Sequence, residues 1–250
     1  MVGFKDHFSR RAADYGRFRP QYPPALVAHV AAQAPARALA LDVATGNGQA
    51  ALALAEHFDL VVASDASASQ LAHAVPHPRV RYLRHGAERL PLAAGVADLL
   101  VVAQAAHWLD LAPFYREACR VLKPGGVVAL WTYESFQVDP AVDAAVDHFY
   151  REIVGRYWPA ERRHVESGYR TLPFPLAELS APPFELVAEW SLERTVSYVG
   201  TWSAVDRYRV AERRDPLPEF AGSLAALWPA GVTRRLRWPI HLRLGRTEPI

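Results

Sequence analysis

From Leu39 onward, short apolar runs alternate with amphipathic stretches, and this alternation confines the chain to βα units around a parallel sheet. The runs are Ala38–Val43, Leu60–Ser64, Val80–Leu83, Ala97–Ala103 and Val127–Tyr133. Each is short and apolar almost throughout, as strands covered on both faces are. The stretches between them read as helices. Gln49–Phe58 places Ala51, Leu54, Ala55 and Phe58 on one face. After Asp110, an N-cap residue type, Leu111, Phe114, Tyr115, Ala118, Val121 and Leu122 recur at helical spacing. Lys123-Pro124-Gly125-Gly126 then predicts a stop, a cation near the helix end followed by breakers.

An arm precedes this core, from Phe4 to about Ala34, with aromatic and arginine residues around Pro20, Pro23 and Pro24. A longer tail follows. It reads as a helical region over Pro140–Trp158, a strand over Phe184–Leu192, more helix from Thr201 and a last strand over Leu236–Leu244. The two tail strands alternate strictly, so each has one apolar face. The other face carries Glu185, Glu189 and Glu193 in one segment and Arg235, Arg237, His241 and Arg243 in the other. Antiparallel pairing would bury both apolar faces together and set glutamates against arginines. Pro239 lacks an N–H and must then sit at an unpaired position or a bulge.

Composition narrows the class. With 28 basic and 26 acidic residues the net charge is +2, and the basic residues are scattered, so a nucleic-acid partner is not expected. No apolar run approaches the ~20 residues that cross a bilayer. The first residues carry charge throughout and lack the apolar stretch of a signal peptide, so a cytoplasmic protein is expected. The single cysteine, Cys119, excludes an intrachain disulfide and a multi-cysteine zinc site. Its neighbours Ala118, Val121 and Leu122 predict a buried thiol. The histidines form no cluster with metal-ligand spacing, so no metal is expected.

The chemistry lies in the first turn. Strand one runs into Asp42-Val43-Ala44-Thr45-Gly46-Asn47-Gly48-Gln49, and a helix follows. Glycines there let the backbone turn tightly and meet a ligand without a Cβ in the way. Strand two leads to Asp65, 17 positions beyond Gly48, where a carboxylate can accept both hydroxyls of a ribose. A nucleoside site is therefore expected. Gly46-x-Gly48-x-x-Ala51 also satisfies the dinucleotide fingerprint, so an NAD(P)-dependent oxidoreductase stands beside other nucleoside binders at this point.

Over nearly its whole length the chain resembles the class I S-adenosylmethionine (SAM)-dependent methyltransferases of the broad group that includes ubiquinone-biosynthesis and trans-aconitate methyltransferases. Asp42, Gly46 and Gly48 match that family's first motif, with Ala44 standing where the family has its first glycine. Asp65 looks like its ribose acid, and Gly86-Ala87-Glu88-Arg89-Leu90-Pro91 resembles the segment that contacts adenine. Ala97-Asp98 through Gln104 resembles strand four, whose end lies beside the methionine part of SAM. Leu122-Lys123-Pro124-Gly125-Gly126 is similar to the turn into strand five. Gln104-Ala105-Ala106-His107-Trp108-Leu109-Asp110 and the arm from Tyr15 to Pro23 resemble the trans-aconitate-type branch.

The resemblance implies a Rossmann-like α/β fold: a seven-stranded, mostly parallel sheet with an antiparallel last strand and helices on both faces. It implies a single domain over residues 1–250, made of an arm or lid (1–35), a SAM-binding core (36–135) and substrate-side helices with the last two strands (136–250). It implies a cofactor site of Tyr15, Arg19, Asp42, Ala44, Thr45, Gly46, Gly48, Asp65, Ala66, Gln70, Ala87, Glu88 and Gln104. The expected reaction is methyl transfer to a small-molecule acceptor, a carboxylate or a hydroxyl. His107, just past strand four, is the candidate base, needed only if the acceptor must lose a proton. A non-catalytic SAM-binding protein is the second alternative. Trp131, Tyr133, Tyr198, Trp202 and Tyr208 are expected to divide between core and acceptor pocket.

Overall fold

The computed structural model describes residues 20–247. Five parallel strands build its first half: β1 (Leu39–Val43), β2 (Leu60–Asp65), β3 (Val80–Arg84), β4 (Ala97–Ala103) and β5 (Leu122–Tyr133). The long strand β8 (Arg234–Arg246) runs antiparallel to β5, and its far side pairs with two shorter strands, β6 (Ala177–Leu179) and β7 (Phe184–Trp190). Lateral order is β3-β2-β1-β4-β5-β8-β6, with β7 also on β8. β6 and β7 together thus form one broken edge, and the expected Rossmann-like sheet is present. Strand order reverses between β1 and β4, and an open α/β sheet binds ligands beyond the strand ends at such a switch point.

Helices cover both faces. On one face α1 (Pro24–Gln33), α2 (Gln49–Leu54) and the turn after α2 bury Leu26, Val30, Ala51, Leu54 and Phe58 against Ala40, Val61 and Leu99. On the other, α4 (Leu111–Val121) buries Phe114, Ala118 and Val121 against Leu41, Leu100 and Val128. Between these lies the short α3 (Ala68–Leu71). The tail adds α5 (Pro140–His148), a π turn over Phe149–Ile153, α6 (Arg162–Glu166), α7 (Leu192–Val199), α8 (Ser203–Glu212) and α9 (Leu217–Ala225). No helix among the described residues is long and apolar enough to cross a membrane.

Several sequence expectations change. Residues 24–33, read as part of an arm, form α1 and bury Leu26, Val27, Val30 and Ala31 in the core. The helix expected to reach Phe58 ends at Leu54, although Phe58 is still buried. Asp110 occupies the N-cap of α4, but its side chain accepts no capping bond. Cys119 is exposed rather than buried. Ala118, Val121 and Leu122 are inward-facing, while Cys119 sits about 100° round the helix from Ala118.

Lys123–Gly126 does not precede β5; it bulges within it. Leu122 pairs with Ala97, then Val127 pairs with Leu99. A Cβ on Gly126 would stand 2.8 Å from the Lys123 carbonyl oxygen, so only glycine fits the fold-back. Lys123 Nζ reaches Asp98 Oδ1 at 2.6 Å, while Asp98 Oδ2 accepts the N–H groups of Ala38 and Leu39 at 3.0 and 2.9 Å. One buried carboxylate thus ties the start of β1 to β4 and to the bulge of β5.

The tail strands pair antiparallel in the expected sense. Leu186 faces Trp238 and Ala188 faces Leu236 on the apolar side, and Glu189 faces Arg235 on the other. β7 ends at Trp190, however, and Glu193 lies in the first turn of α7. Pro239 falls where the ladder permits it. Gln137 and Arg237 exchange backbone hydrogen bonds on the β5 side, so the odd-numbered residues of β8 address that side. There the regular β5 ladder ends at Tyr133 opposite Ile240, and the missing N–H of Pro239 falls in the gap before Gln137.

Candidate active site

The turn after β1 is wound left-handed at three residues: φ is +56° at Ala44, +58° at Gly46 and +91° at Gly48, which caps α2. A Cβ on Gly48 would collide with the phenol of Tyr82, whereas one on Gly46 would meet only Gln70, at 3.8 Å. The outer side of the turn at Gly46 is therefore approachable by a ligand. Beneath it Asp42 is fully buried, and the Thr45 hydroxyl donates to its carboxylate. Burial pushes the Asp42 carboxyl up to about 7, against the smaller opposing effects of Thr45 and the Ala51 N–H.

Asp65 ends β2 beside this turn. Its Oδ2 accepts the Gly46 N–H and its Oδ1 the Ser67 N–H, both at 2.8 Å. Ser67 in turn caps α3 by accepting the Gln70 N–H at 3.3 Å. Backbone donors thus orient both carboxylate oxygens at the end of β2, the position from which a carboxylate can meet a ribose diol. The Ala66 carbonyl accepts Arg84 Nε at 3.4 Å on the neighbouring strand. Asp42, Ala44, Thr45, Gly46, Gly48, Asp65, Ala66 and Gln70 therefore meet at one end of the sheet. These residues fit a nucleoside with an activated side arm such as SAM.

The segment after β3 is held by α4. Glu117 Oε1 accepts the Leu90 N–H at 2.6 Å, and Arg120 binds Glu117 and the carbonyls of Leu90 and Leu92. Hydrogen bonding from Arg120 holds the Glu117 carboxyl below its ordinary value. Ala87 is buried, and Glu88 reaches towards the Asp110 N–H, 3.4 Å away. Neither Glu117 nor Arg120 was singled out from sequence, although their three-residue spacing on a helix was a readable signal.

Gln104 leaves β4 with φ +59°. Its side chain donates to the Tyr133 carbonyl at 3.0 Å and accepts from the Thr132 hydroxyl. A single turn, Ala106–Trp108, then presents His107. Its Nδ1 lies 2.9 Å from the Tyr169 hydroxyl, and its ring is 4.7 Å from that of Trp108. Burial, with the Arg162 cation adding to it, lowers the His107 imidazole to about 3, so the ring is neutral near pH 7.

Gln104 and His107 open onto a cleft whose other walls include Trp108, Tyr133, Glu134, Trp158, Arg162, Tyr198 and Trp202. Trp158, Arg162, Tyr198 and Trp202 come from the tail. Trp131 is core, and Tyr208 packs on Tyr157 away from the cleft. Trp158, Arg162, Glu134 and Tyr169 went unnoticed in the sequence, where they stand in no periodic pattern. Tyr15 and Arg19 lie outside the described residues. Among the described residues no group of three or more histidines, cysteines or acids could hold a metal ion.

A parallel sheet with its glycine turn and acid at the switch point defines a nucleoside-binding α/β protein. A methyltransferase domain model matches residues 41–130, which span β1 to β5. A methyltransferase-family protein of Dictyostelium discoideum is 31% identical over 98% of this chain and 96% of its own length. A solved Anaeromyxobacter dehalogenans chain, described as a type II methyltransferase, is 47% identical with TM-score 0.88, covering 93% of this chain and all of that one. The YcgJ protein of Bacillus subtilis, at 20% identity and TM-score 0.51 over 90% of this chain and 98% of that one, shares the fold. The chain belongs to the methyltransferase family, and it is an enzyme of that class.

Proposed function

We propose that the protein transfers a methyl group from SAM to an oxygen of a small-molecule acceptor, a carboxylate or a hydroxyl. One observation supports this above others: the glycine turn with Asp65 and the aromatic cleft adjoin across the switch point, with Gln104 at the junction. Asp65 would accept the ribose hydroxyls, Ala87 and Glu88 would border adenine, and the turn from Asp42 to Gly48 with Ala66 and Gln70 would cradle the rest. Gln104 would stand beside the methionine arm, and Tyr15 and Arg19 would meet its carboxylate. SAM supplies a methyl carbon already activated by a sulfonium. What the chain must do is align the acceptor with it and exclude water.

His107 is the residue we assign to the acceptor. With its proton affinity held so low it is a weak base near pH 7, and it serves best as a neutral hydrogen-bond partner that Tyr169 orients. A carboxylate acceptor needs no proton removed, which favours it over a hydroxyl. We extend the reading to a trans-aconitate-type branch with a cofactor core over 36–135 and an acceptor side over 136–250; of the lid expected over 1–35, residues 24–33 belong instead to the core as α1. The expected setting is the cytoplasm, with neither nucleic acid nor membrane as partner.

Transfer of labelled methyl from SAM to a metabolite pool tests the reading. Alkali then separates the products, since an ester releases labelled methanol and an ether does not. Binding of SAM without transfer to any pool would favour a non-catalytic binder. Nicotinamide carried by the purified protein would favour the oxidoreductase.

A further inference from the structure

The turn that follows α6 carries a buried tyrosine on a strained backbone. α6 ends in a paired cap: the Gly168 N–H donates to the Val165 carbonyl and the Tyr169 N–H to the His164 carbonyl, both at 2.8 Å. Gly168 takes φ +59°, as that cap requires, but Tyr169 follows it at φ +62°, a region that a bulky side chain seldom enters. Strain of this kind persists where the surroundings impose it, and it gathers at functional sites.

Here β8 imposes it. A Cβ on Gly168 would stand 2.7 Å from the His241 ring, so the turn lies directly on that strand. Arg243, two residues further along and on the same face, donates from Nη1 to the carbonyls of Tyr169 and Leu172 at 3.2 and 2.8 Å. Its Nε and Nη2 hold the Glu178 carboxylate of β6 at 2.9 and 3.0 Å. The clasp turns the Tyr169 phenol inward, fully buried, to 2.9 Å from His107 Nδ1. Backbone N–H groups of Ala106 and His107 address the phenol oxygen, so donors already meet its lone pairs. Its proton has two acceptors in reach, His107 Nδ1 and the oxygen of Thr132, whose own hydroxyl donates to Gln104. The imidazole nitrogen is the more basic of the two.

We propose that Tyr169 is a positioning residue that donates to Nδ1 of His107 and so fixes the imidazole proton on Nε2, with Arg243 holding the tyrosine in place. This rests on the assignment of His107 to the acceptor and adds the sense of its hydrogen bond. Nε2, the ring nitrogen left to the cleft, gives a hydrogen bond to the acceptor and takes no proton from it.

Histidine-selective nitrogen-15 NMR on the full chain near pH 7 tests this, with the His107 signals identified by their loss in His107→Gln. In the wild type Nδ1 should be unprotonated and shifted by an accepted hydrogen bond, and Nε2 should carry the proton. Tyr169→Phe should move the Nδ1 resonance to that of a free imidazole nitrogen, while His57 and His77, far from the turn in sequence, stay where they were. Arg243→Gln should move it part of the way. A proton on Nδ1 in the wild type overturns the proposal, and so does a Tyr169→Phe spectrum unchanged at both nitrogens of His107. An unchanged Arg243→Gln spectrum overturns the part given to Arg243. The wild-type spectrum decides the tautomer even if a variant does not fold. Methyl transfer undiminished in His107→Gln would instead remove His107 from the acceptor and leave the tautomer as measured.

Discussion

Asp65 Oδ2 accepts the backbone N–H of Gly46 at 2.8 Å, so the acid that ends β2 is fixed against the turn that leaves β1. The same carboxylate that orders the turn would then order the ribose. Replacing it separates the two roles. Asp65→Asn keeps the size and one acceptor, and should cost about 1 kcal/mol of stability, the value of an ordinary hydrogen bond. Its SAM affinity should fall at least tenfold, about 1.4 kcal/mol. Calorimetry returning wild-type affinity would remove Asp65 from the cofactor site.

Asp42 makes a prediction in pH. Its carboxyl is raised from 3.8 to about 7 by burial, so across that window the folded protein binds more protons than the unfolded chain. Its contribution to stability therefore falls as pH rises through the window, by at most about 1.4 kcal/mol per pH unit. Asp42→Asn removes the titration. Urea unfolding at a series of pH values should show the variant gaining on the wild type from pH 5 to pH 7. Parallel curves would show that Asp42 is ionised in the fold.

His107 acts in the opposite direction. Its imidazole is lowered from 6.5 to about 3, so between those values the unfolded chain binds the extra proton. The contribution of His107 is complete above pH 6.5 and is lost as pH falls towards about 3. His107→Gln, compared with the wild type by the same urea series, should flatten the acid side of the stability profile. A variant that tracks the wild type down to pH 4 would mean that His107 protonates freely in the fold.

How much of this was legible in the sequence depends on which forces placed each residue. The inner parallel strands were readable because both of their faces are buried, leaving runs such as Leu99–Ala103 apolar throughout. The β7–β8 register was readable because a strand with one apolar face admits only one parity, and Leu186 opposite Trp238 obeys it. Cys119 was misjudged because neighbours in sequence are not neighbours on a helix. Lys123–Gly126 looks like a stop because lysine, proline and glycine end helices. That the same residues bulge inside a strand follows from Asp98, a partner 25 positions away. The cleft was least legible. Trp158, Arg162, Tyr169 and Trp202 come together through tertiary packing of short, irregular helices, and no period in the chain announces that meeting.

Ala44 holds φ +56° in a turn where the resemblance led to the expectation of glycine. A left-handed residue with a Cβ costs roughly 1–2 kcal/mol. Glycine would relieve that cost and return about 0.4–1 kcal/mol through the freer unfolded chain. Ala44→Gly should therefore stabilise the protein by about 0.5–1 kcal/mol, within the difference of those two effects. Chemical denaturation decides it, and a destabilised variant would show that the alanine methyl packs usefully in the turn.

Asp98 is fully buried and has three partners: Lys123 Nζ and the N–H groups of Ala38 and Leu39. Asp98→Ala would strand two backbone donors at the start of β1, at about 1–3 kcal/mol each if no water reaches them. Lys123 is one-third exposed and can turn to water, so its share of the loss is smaller. A total of roughly 2–6 kcal/mol is expected. Lys123→Ala should cost less than Asp98→Ala, because the carboxylate it abandons still accepts two N–H groups. The double variant should then be little worse than Asp98→Ala alone, since the lysine has nothing left to hold once the acid is gone. Urea unfolding of the three variants measures the coupling. Fully additive losses would mean that the bulge of β5 is set by Pro124 and Gly126 alone, and that the ion pair merely rests on it.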